Sequence, residues 1–467
     1  MKLRQWQAEC INLAHQQYLT GNTHFMCLAT PGAGKTMTAS QLAKLLFDEN
    51  QIDLVICLSP SLIVADDFKD ELETQTGKRL DGKLGSSGCS LTYQAMLTLS
   101  KEFWKLLLDF RVFVIFDEIH HCAGGDLHNA NAWGERIISE IQGKASFTLA
   151  LTGTPWRSDK IPIALANYCE DQHIHCNYSY GLNQAITDRV CRKPRITLID
   201  NNQIFLKQGN EGNYYNSFAD LLEKSECSYQ GLVESEALMT YMIRQANKKL
   251  NQLRKITPNA GGLVVATSVA HARQIHHLLE STFNEKADIA TYQEDEPLSI
   301  IKKYKHSKKK WIISVGMISE GTNIPRLRVC CHLTRVKTEL HFRQVLGRIL
   351  RVDSQSHEEG FLYIPAEPTL IEYAHRIAKD IPKENVVDFD YMPFSASENT
   401  VQPGMFTPNE KATELSFNGI AAHDAIPQIQ LDTDSILARS YEATLNIFGR
   451  FICEELSFNE KQSHQYN

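Results

Sequence analysis

The chain has 467 residues, 43% of them hydrophobic and 22% charged, with a formal net charge of −7 at pH 7. That length exceeds what one hydrophobic core usually organises, so two or three domains are expected, and neither the roughly 18-residue apolar run of a membrane span nor the basic-then-apolar opening of a secretion signal is present. The twelve cysteines are scattered without a repeated pair spacing, and Cys169, Cys176 and Cys191 lack the C-x2-C knuckle of a zinc site, so a soluble chain with free thiols in a reducing cytoplasm is expected.

The charge is unevenly placed. From Glu384 onward there are 13 acidic and 4 basic side chains, net −9, which leaves +2 for the preceding 383 residues. A core so close to neutrality can still hold a phosphate chain in a locally basic groove, because those contacts are made side chain by side chain.

In chain order, the first third alternates short β-rich runs with helical patterns: THFMCLAT, DLVICLS, VFVIF and SFTLAL each end in a loop followed by a more polar stretch. Strands apolar on both faces imply a parallel sheet covered by helices, and such sheets bind ligands at the carboxyl ends of their strands. From about Trp156 to Ala260 the rhythm is less regular, with a basic cluster RVCRKPRI and an Asn/Gly-rich stretch NNQIFLKQGNEGN, read as a connector with accessory helices. The rhythm returns in GGLVVAT, WIISV, RLRVCCHL and GFLYIPA, interleaved with the helical segments VAHARQIHHLL and TELHFRQVLGRIL. The stretch Asp388 to Pro408 reads as a linker. Beyond it Leu437, Tyr441, Leu445, Phe448, Ile452 and Leu456 recur at spacings of four and three, which predicts a tail helix with one apolar stripe, docked on the second lobe or on a partner.

ATPGAGKT follows a predicted strand and opens a predicted helix. Across Thr30, Gly32, Ala33 and Gly34 the backbone can curl its N–H groups toward phosphate oxygens, Lys35 can reach the outer phosphates of ATP, and the Thr36 hydroxyl can hold Mg2+. Ala29 stands where the common phosphate-loop pattern has its first glycine. After VFVIF come Asp117 and Glu118, two acids at the end of a buried strand. Magnesium explains them, since one carboxylate can serve the metal while its neighbour polarises the attacking water. In TELHFRQVLGRIL and the residue after it, Gln344, Arg348 and Arg351 lie four and three apart on one helix face, so both arginines can point at a nucleotide held by the other lobe. The basic run KKYKHSKKK at 302–310 reads as a solvated helix face.

The order ATPGAGKT, DEIHH, LTGTP and QVLGRILR resembles superfamily 2 helicases of the DEAD/DEAH-box type, over most of residues 3–365. LRQWQ and LTGTPWRSD make it look closest to the DNA translocases of restriction enzymes and repair helicases. The resemblance implies an α/β chain with two RecA-like parallel-sheet lobes in tandem: a first ATP-binding lobe over 1–160, a connector with accessory helices over 161–260, a second helicase lobe over 261–385, and a mainly helical acidic tail over 386–467. It further implies that Gln7 reads adenine with Arg4 beside it, that Asp117 serves magnesium and Glu118 activates water, and that His120 meets Thr152 and Thr154 to couple the pocket to the nucleic-acid track. SVGMISEGTNIP resembles the family's fifth motif, placing Gly321 and Asn323 at the nucleotide, with Asn323 where an aspartate is usual; Gln344, Gly347, Arg348 and Arg351 match the sixth. On the family's pattern Ser61, Thr92, Thr267 and Thr322 are the hydroxyls expected on a nucleic-acid strand. The function implied is an ATP-dependent DNA helicase or translocase acting on single-stranded, branched or duplex DNA. RNA unwinding, or a nucleotide-gated clamp, are the competing expectations. No nuclease cluster is legible, so a separate effector protein is the expected partner.

Overall fold

The structure is a computed structural model and describes residues 3–124, 130–154, 157, 161–168, 174–208, 211–318, 322–352, 359–379, 385–390, 443–447 and 451–458. Gly321 and the side chains of Leu437, Tyr441 and Phe448 lie outside the described residues. No helix among those residues is long and apolar enough to cross a membrane.

The first lobe is a six-stranded parallel sheet in the spatial order 88–92, 54–59, 112–116, 147–152, 24–29, 178–180. Its central strand Val112–Phe116 is buried at every position, the all-apolar signature of a sheet covered on both faces. Helix Lys35–Asp48 covers one face through Ala39, Leu42, Ala43 and Leu46, and each fully buried leucine there contributes about 1.5–3 kcal/mol. The strand that precedes ATPGAGKT is flanked by 147–152 and 178–180, so it lies inside the sheet, and its carboxyl end opens into a crevice between neighbours.

The second lobe is an eight-stranded sheet ordered 287–290, 311–314, 261–266, 327–333, 359–365, 193–201, 451–458, 385–390; the first six strands run parallel and the last two are antiparallel additions. Helix Glu236–Ile256 starts at Ser235, whose hydroxyl accepts the Leu238 N–H, and lays Leu238, Met242, Ile243, Ala246 and Leu250 on this sheet at three- and four-residue spacings.

Two differences from the sequence reading follow from strand pairing. Lys193–Asn201, inside the expected connector, is a strand of the second sheet beside 359–365. Part of the basic cluster RVCRKPRI therefore serves the fold. Arg192, 1% exposed, sends Nη1 to the carbonyls of Pro325, Leu327 and Ile349 at 2.9–3.3 Å, and Arg195 pairs with Glu359 at 2.7 Å. Second, the expected docking helix of the tail is absent where the tail is described. Ala443–Ile447 pairs antiparallel with 204–208 in a small three-stranded sheet, and Phe451–Phe458 pairs antiparallel with 193–201. Apolar residues three and four apart satisfy a helix, but open strand edges offer a run of backbone hydrogen bonds that tertiary context lets win over local pattern. The tail thus docks on the second lobe as strands.

Burial shifts three histidines: His271 and His332 are buried, and His24 is half-buried with Nδ1 2.8 Å from Thr148 Oγ1. Burial lowers His24 and His271 from their ordinary value of 6.5 to about 4, and burial with the neighbouring His341 lowers His332 to about 3. Each is neutral in the fold and protonates freely once unfolded, so its contribution is complete above pH 6.5 and is lost progressively as pH falls toward the folded values. Thermal midpoints measured from pH 7 to pH 4 should fall steadily, and His332→Leu should flatten that dependence; an unchanged slope in the variant removes His332 from the account.

Candidate functional site

The carboxyl ends of the first sheet and the facing edge of the second lobe enclose a cleft of about 550 Å³. Lobe one contributes Arg4, Gln7, Gly32, Gly34, Lys35, Thr36, Asp117, Glu118 and Thr154; lobe two contributes Asn323, Gln344, Arg348 and Arg351.

The phosphate-loop segment turns through Gly34 at φ 103°, a left-handed conformation costly for any side chain, and a Cβ there would lie 2.9 Å from Gln7 Nε2. Thr30 lies at the strand end, its N–H bonded to the Tyr180 carbonyl, and the Ala33 N–H closes the loop onto the Thr30 carbonyl. Gln7 is held at both ends: its side-chain oxygen accepts the Arg4 N–H at 2.9 Å and its Nε2 donates to the Gly34 carbonyl at 3.1 Å, while Arg4 Nη1 donates to the Ala33 carbonyl. This interlock ties the first helix to the loop.

Helix Lys35–Asp48 starts immediately after the loop, so its free N–H groups and positive dipole end face the cleft. Lys35 Nζ lies 2.9 Å from Glu118 Oε1 and donates to the Ala29 carbonyl at 3.3 Å. Asp117 is 7% exposed at the end of its strand. Glu118 is a non-glycine residue at φ 50°, a strained conformation of the kind that clusters at functional sites. Burial alone would raise its carboxyl, but the Lys35 ammonium, His120 and the Gly153 N–H outweigh burial and hold it well below the ordinary carboxylate range. It is a carboxylate at neutral pH, clamped by the Gly153 N–H at 3.2 Å.

His120, Thr152 and Thr154 are brought together. His120 Nδ1 lies 3.0 Å from Thr152 Oγ1 and 3.4 Å from both Thr154 Oγ1 and Glu118 Oε2. The Thr152 hydroxyl donates to the Thr154 carbonyl and accepts the Thr154 N–H. With that single proton engaged, the ring must present Nδ1–H to Thr152.

On lobe two, Arg348 Nη1 donates to the Thr322 carbonyl and Arg351 Nη1 to Asn323 Oδ1, each at 2.9 Å. Asn323 thus orients Arg351 without neutralising it. Burial, then the Arg348 cation, pull the Arg351 guanidinium below its ordinary value, the mark of a charge that gains from an incoming anion. The lobes meet closely: a Cβ on Gly347 would sit 2.6 Å from Pro31 Cβ, and one on Gly32 would sit 3.0 Å from Arg351 Cγ. Arg351 lies past the end of helix Glu339–Ile349, in a β-bridge with Cys191, and not on the helix face that its spacing from Gln344 and Arg348 predicts.

The four expected nucleic-acid hydroxyls fare differently. Thr92 Oγ1 caps its helix by accepting the Ala95 N–H at 3.0 Å, and Thr267 Oγ1 donates to Glu234. Among the described residues, Ser61 Oγ and Thr322 Oγ1 are buried without a protein partner. The sequence reading missed Lys305 and one polar helix face of the cleft. Lys305, from the run read as a solvated face, lines the cleft opposite Asp67, whose carboxyl burial raises against the pull of the Lys305 and Arg351 cations. Asp67, Asp70, Glu71 and Thr74 all line the cleft from one helix at spacings of three, one and three, a pattern legible as a face in the sequence.

Residues 1–157 match the family described as the res subunit of type III restriction enzymes, and residues 245–353 match the helicase conserved C-terminal domain. Together with the two-lobed fold, these matches support a superfamily 2 helicase. Within that class it is related to the restriction-enzyme type. It is 28% identical to uncharacterised proteins of Mycobacterium tuberculosis and Mycobacterium leprae, over 93% of this chain and 72% and 73% of theirs. Among solved structures, a fragment of an HsdR subunit of a type I restriction enzyme from Vibrio vulnificus is similar at TM-score 0.55 and 17% identity, over 79% of this chain and 65% of that one. S. cerevisiae Dbp5 bound to RNA and ADP BeF3 is similar at TM-score 0.50 and 12% identity, over 81% of this chain and 88% of that one.

Proposed function

We propose that the chain is a nucleic-acid-stimulated ATPase that translocates along or unwinds DNA, working with a separate effector protein. The observation that carries this reading is the cleft itself: Lys35 and Glu118 of one lobe face Arg348 and Arg351 of the other across a space lined by both. Hydrolysis of ATP is mainly a matter of positioning and charge stabilisation, and each part has a residue here. The Gly32–Thr36 backbone and Lys35 hold phosphates, Glu118 orients the attacking water, and the arginines meet charge developing on the outer phosphate. Gln7 and Arg4 take the base. The residues fit magnesium: Asp117 and Thr36 line the cleft beside the phosphate loop and would hold the ion, which supplies neutralisation of the phosphate oxygens. Because the two halves stand on separate sheets, the catalytic set is complete only when the lobes close, and the cycle of closure and reopening moves the strand-gripping loops past one another.

The resemblance gives Ser61 and Thr322, one on each lobe, phosphate contacts that hold a strand without reading its sequence, and both hydroxyls are buried here, so lobe movement must expose them first. The preference for DNA rests on the resemblance of LRQWQ and LTGTPWRSD to restriction and repair translocases and on the match to restriction res subunits. The test compares ATP turnover with single-stranded DNA, duplex DNA and RNA, together with strand displacement on each duplex. Stimulation by DNA is expected. Stimulation by RNA alone would replace the DNA reading with an RNA helicase, and nucleotide-dependent binding with slow turnover and no movement would replace it with a clamp.

A further inference from the structure

The Asp117–Ala123 turn, which carries the metal-side carboxylate and the water-activating glutamate, is held from outside the cleft by residues with no place in the phosphate chemistry. Tyr93, fully buried, donates its hydroxyl to the Asp117 carbonyl at 2.8 Å, at the start of the turn. Its ring stacks on Trp133 with centroids 5.6 Å apart and planes 25° from parallel. Trp133 stands on a short helix whose cap residue, Asn131, donates Nδ2 to the His121 carbonyl at 2.9 Å and accepts the Ala123 N–H at 3.1 Å. The turn is therefore clasped at Asp117, His121 and Ala123 by one aromatic pair and its cap.

Tyr93 is also the first residue of helix Tyr93–Leu97, capped by Thr92 at the carboxyl end of strand Gly88–Thr92. Any strand that seats on the Thr92 loop moves the Tyr93 backbone directly, and a buried, stacked ring transmits that movement to its hydroxyl with little slack. Resting on the ATPase reading above, we propose that Tyr93 is the positioning residue through which a nucleic-acid strand at the Thr92 loop sets the Asp117–Cys122 turn, so that bound strand raises the turnover number while leaving ATP affinity unchanged. Its readout is the ratio of stimulated to basal turnover.

Tyr93→Phe keeps the ring, its stack on Trp133 and the core volume, and removes only the clasp. The expected result is a stimulation ratio lowered about tenfold, an effect of the size typical for coupled sites, carried by kcat with KM for ATP and the half-saturating concentration of a single-stranded oligonucleotide unchanged. The thermal midpoint of Tyr93→Phe should stay within a few degrees of wild type. Equal losses of basal and stimulated turnover, or a ratio that survives Tyr93→Phe in a protein whose wild type is stimulated, would overturn the coupling and leave the ATPase reading standing. A wild type that no nucleic acid stimulates would overturn both.

Discussion

Arg348→Ala and Arg351→Ala should each lower stimulated ATP turnover by about 10³–10⁵-fold, the range of an arginine finger, with fold and nucleic-acid affinity largely kept. The physical case is geometric. Both side chains line the cleft from the second lobe, Arg348 donating to the Thr322 carbonyl and Arg351 to the Asn323 amide oxygen. Two guanidiniums held this way repel each other, and that repulsion with burial lowers the Arg351 value, so negative charge developing between the lobes is stabilised more than it would be in water. Arg351→Lys should recover little, because an ammonium cannot reproduce the guanidinium fork that Asn323 aims. Steady-state turnover with saturating nucleic acid is the measurement, and wild-type rates in either alanine variant would end that residue's assignment as a finger.

Lys35→Ala and Glu118→Gln should both abolish turnover yet part company in binding. The amide of Glu118→Gln keeps the size and one acceptor oxygen, so the loop, Lys35 and the magnesium-side residues stay in place and ATP should remain bound without being cleaved, with loss of about 10²–10⁴-fold or more in rate. Lys35→Ala removes the group that reaches the phosphates and leaves a buried carboxylate without the ammonium 2.9 Å away, so nucleotide affinity and thermal stability should fall together. A double variant with both changes should regain stability relative to Lys35→Ala alone, because the unpaired charge is gone. Direct nucleotide-binding titrations and thermal midpoints decide the matter: equal loss of ATP affinity in the two single variants would falsify the role given to Glu118.

Lys35 and Glu118 pair at 2.9 Å, so on the proposed reading a phosphate chain would draw Lys35 away before the carboxylate serves a water. The strained φ of Glu118 and its clamp by the Gly153 N–H hold the carboxylate in place meanwhile.

What the sequence determined by itself was the local placement of contiguous or helix-spaced residues. ATPGAGKT lies between a strand and a helix because both flanks have the right local pattern, DEIHH follows an all-apolar strand, and Gln344 and Arg348 share a helix face by spacing, whereas Arg351 falls past the helix end. The two-lobed α/β architecture followed from the return of the same strand rhythm. Tertiary structure alone decided everything that depends on which strand finds which edge. Lys193–Asn201 reads as part of an irregular connector until it is seen beside 359–365, and Leu445, Ile452 and Leu456 fit a helical stripe as well as they fit strands until the free edges at 204–208 and 193–201 are known. Spacing within a segment records local periodicity, whereas pairing is settled by hydrogen bonds to residues hundreds of positions away, as it is between 443–447 and 204–208. Lys305 likewise moved from a solvated face into the cleft because lobe packing, which no local pattern encodes, set it opposite Asp67.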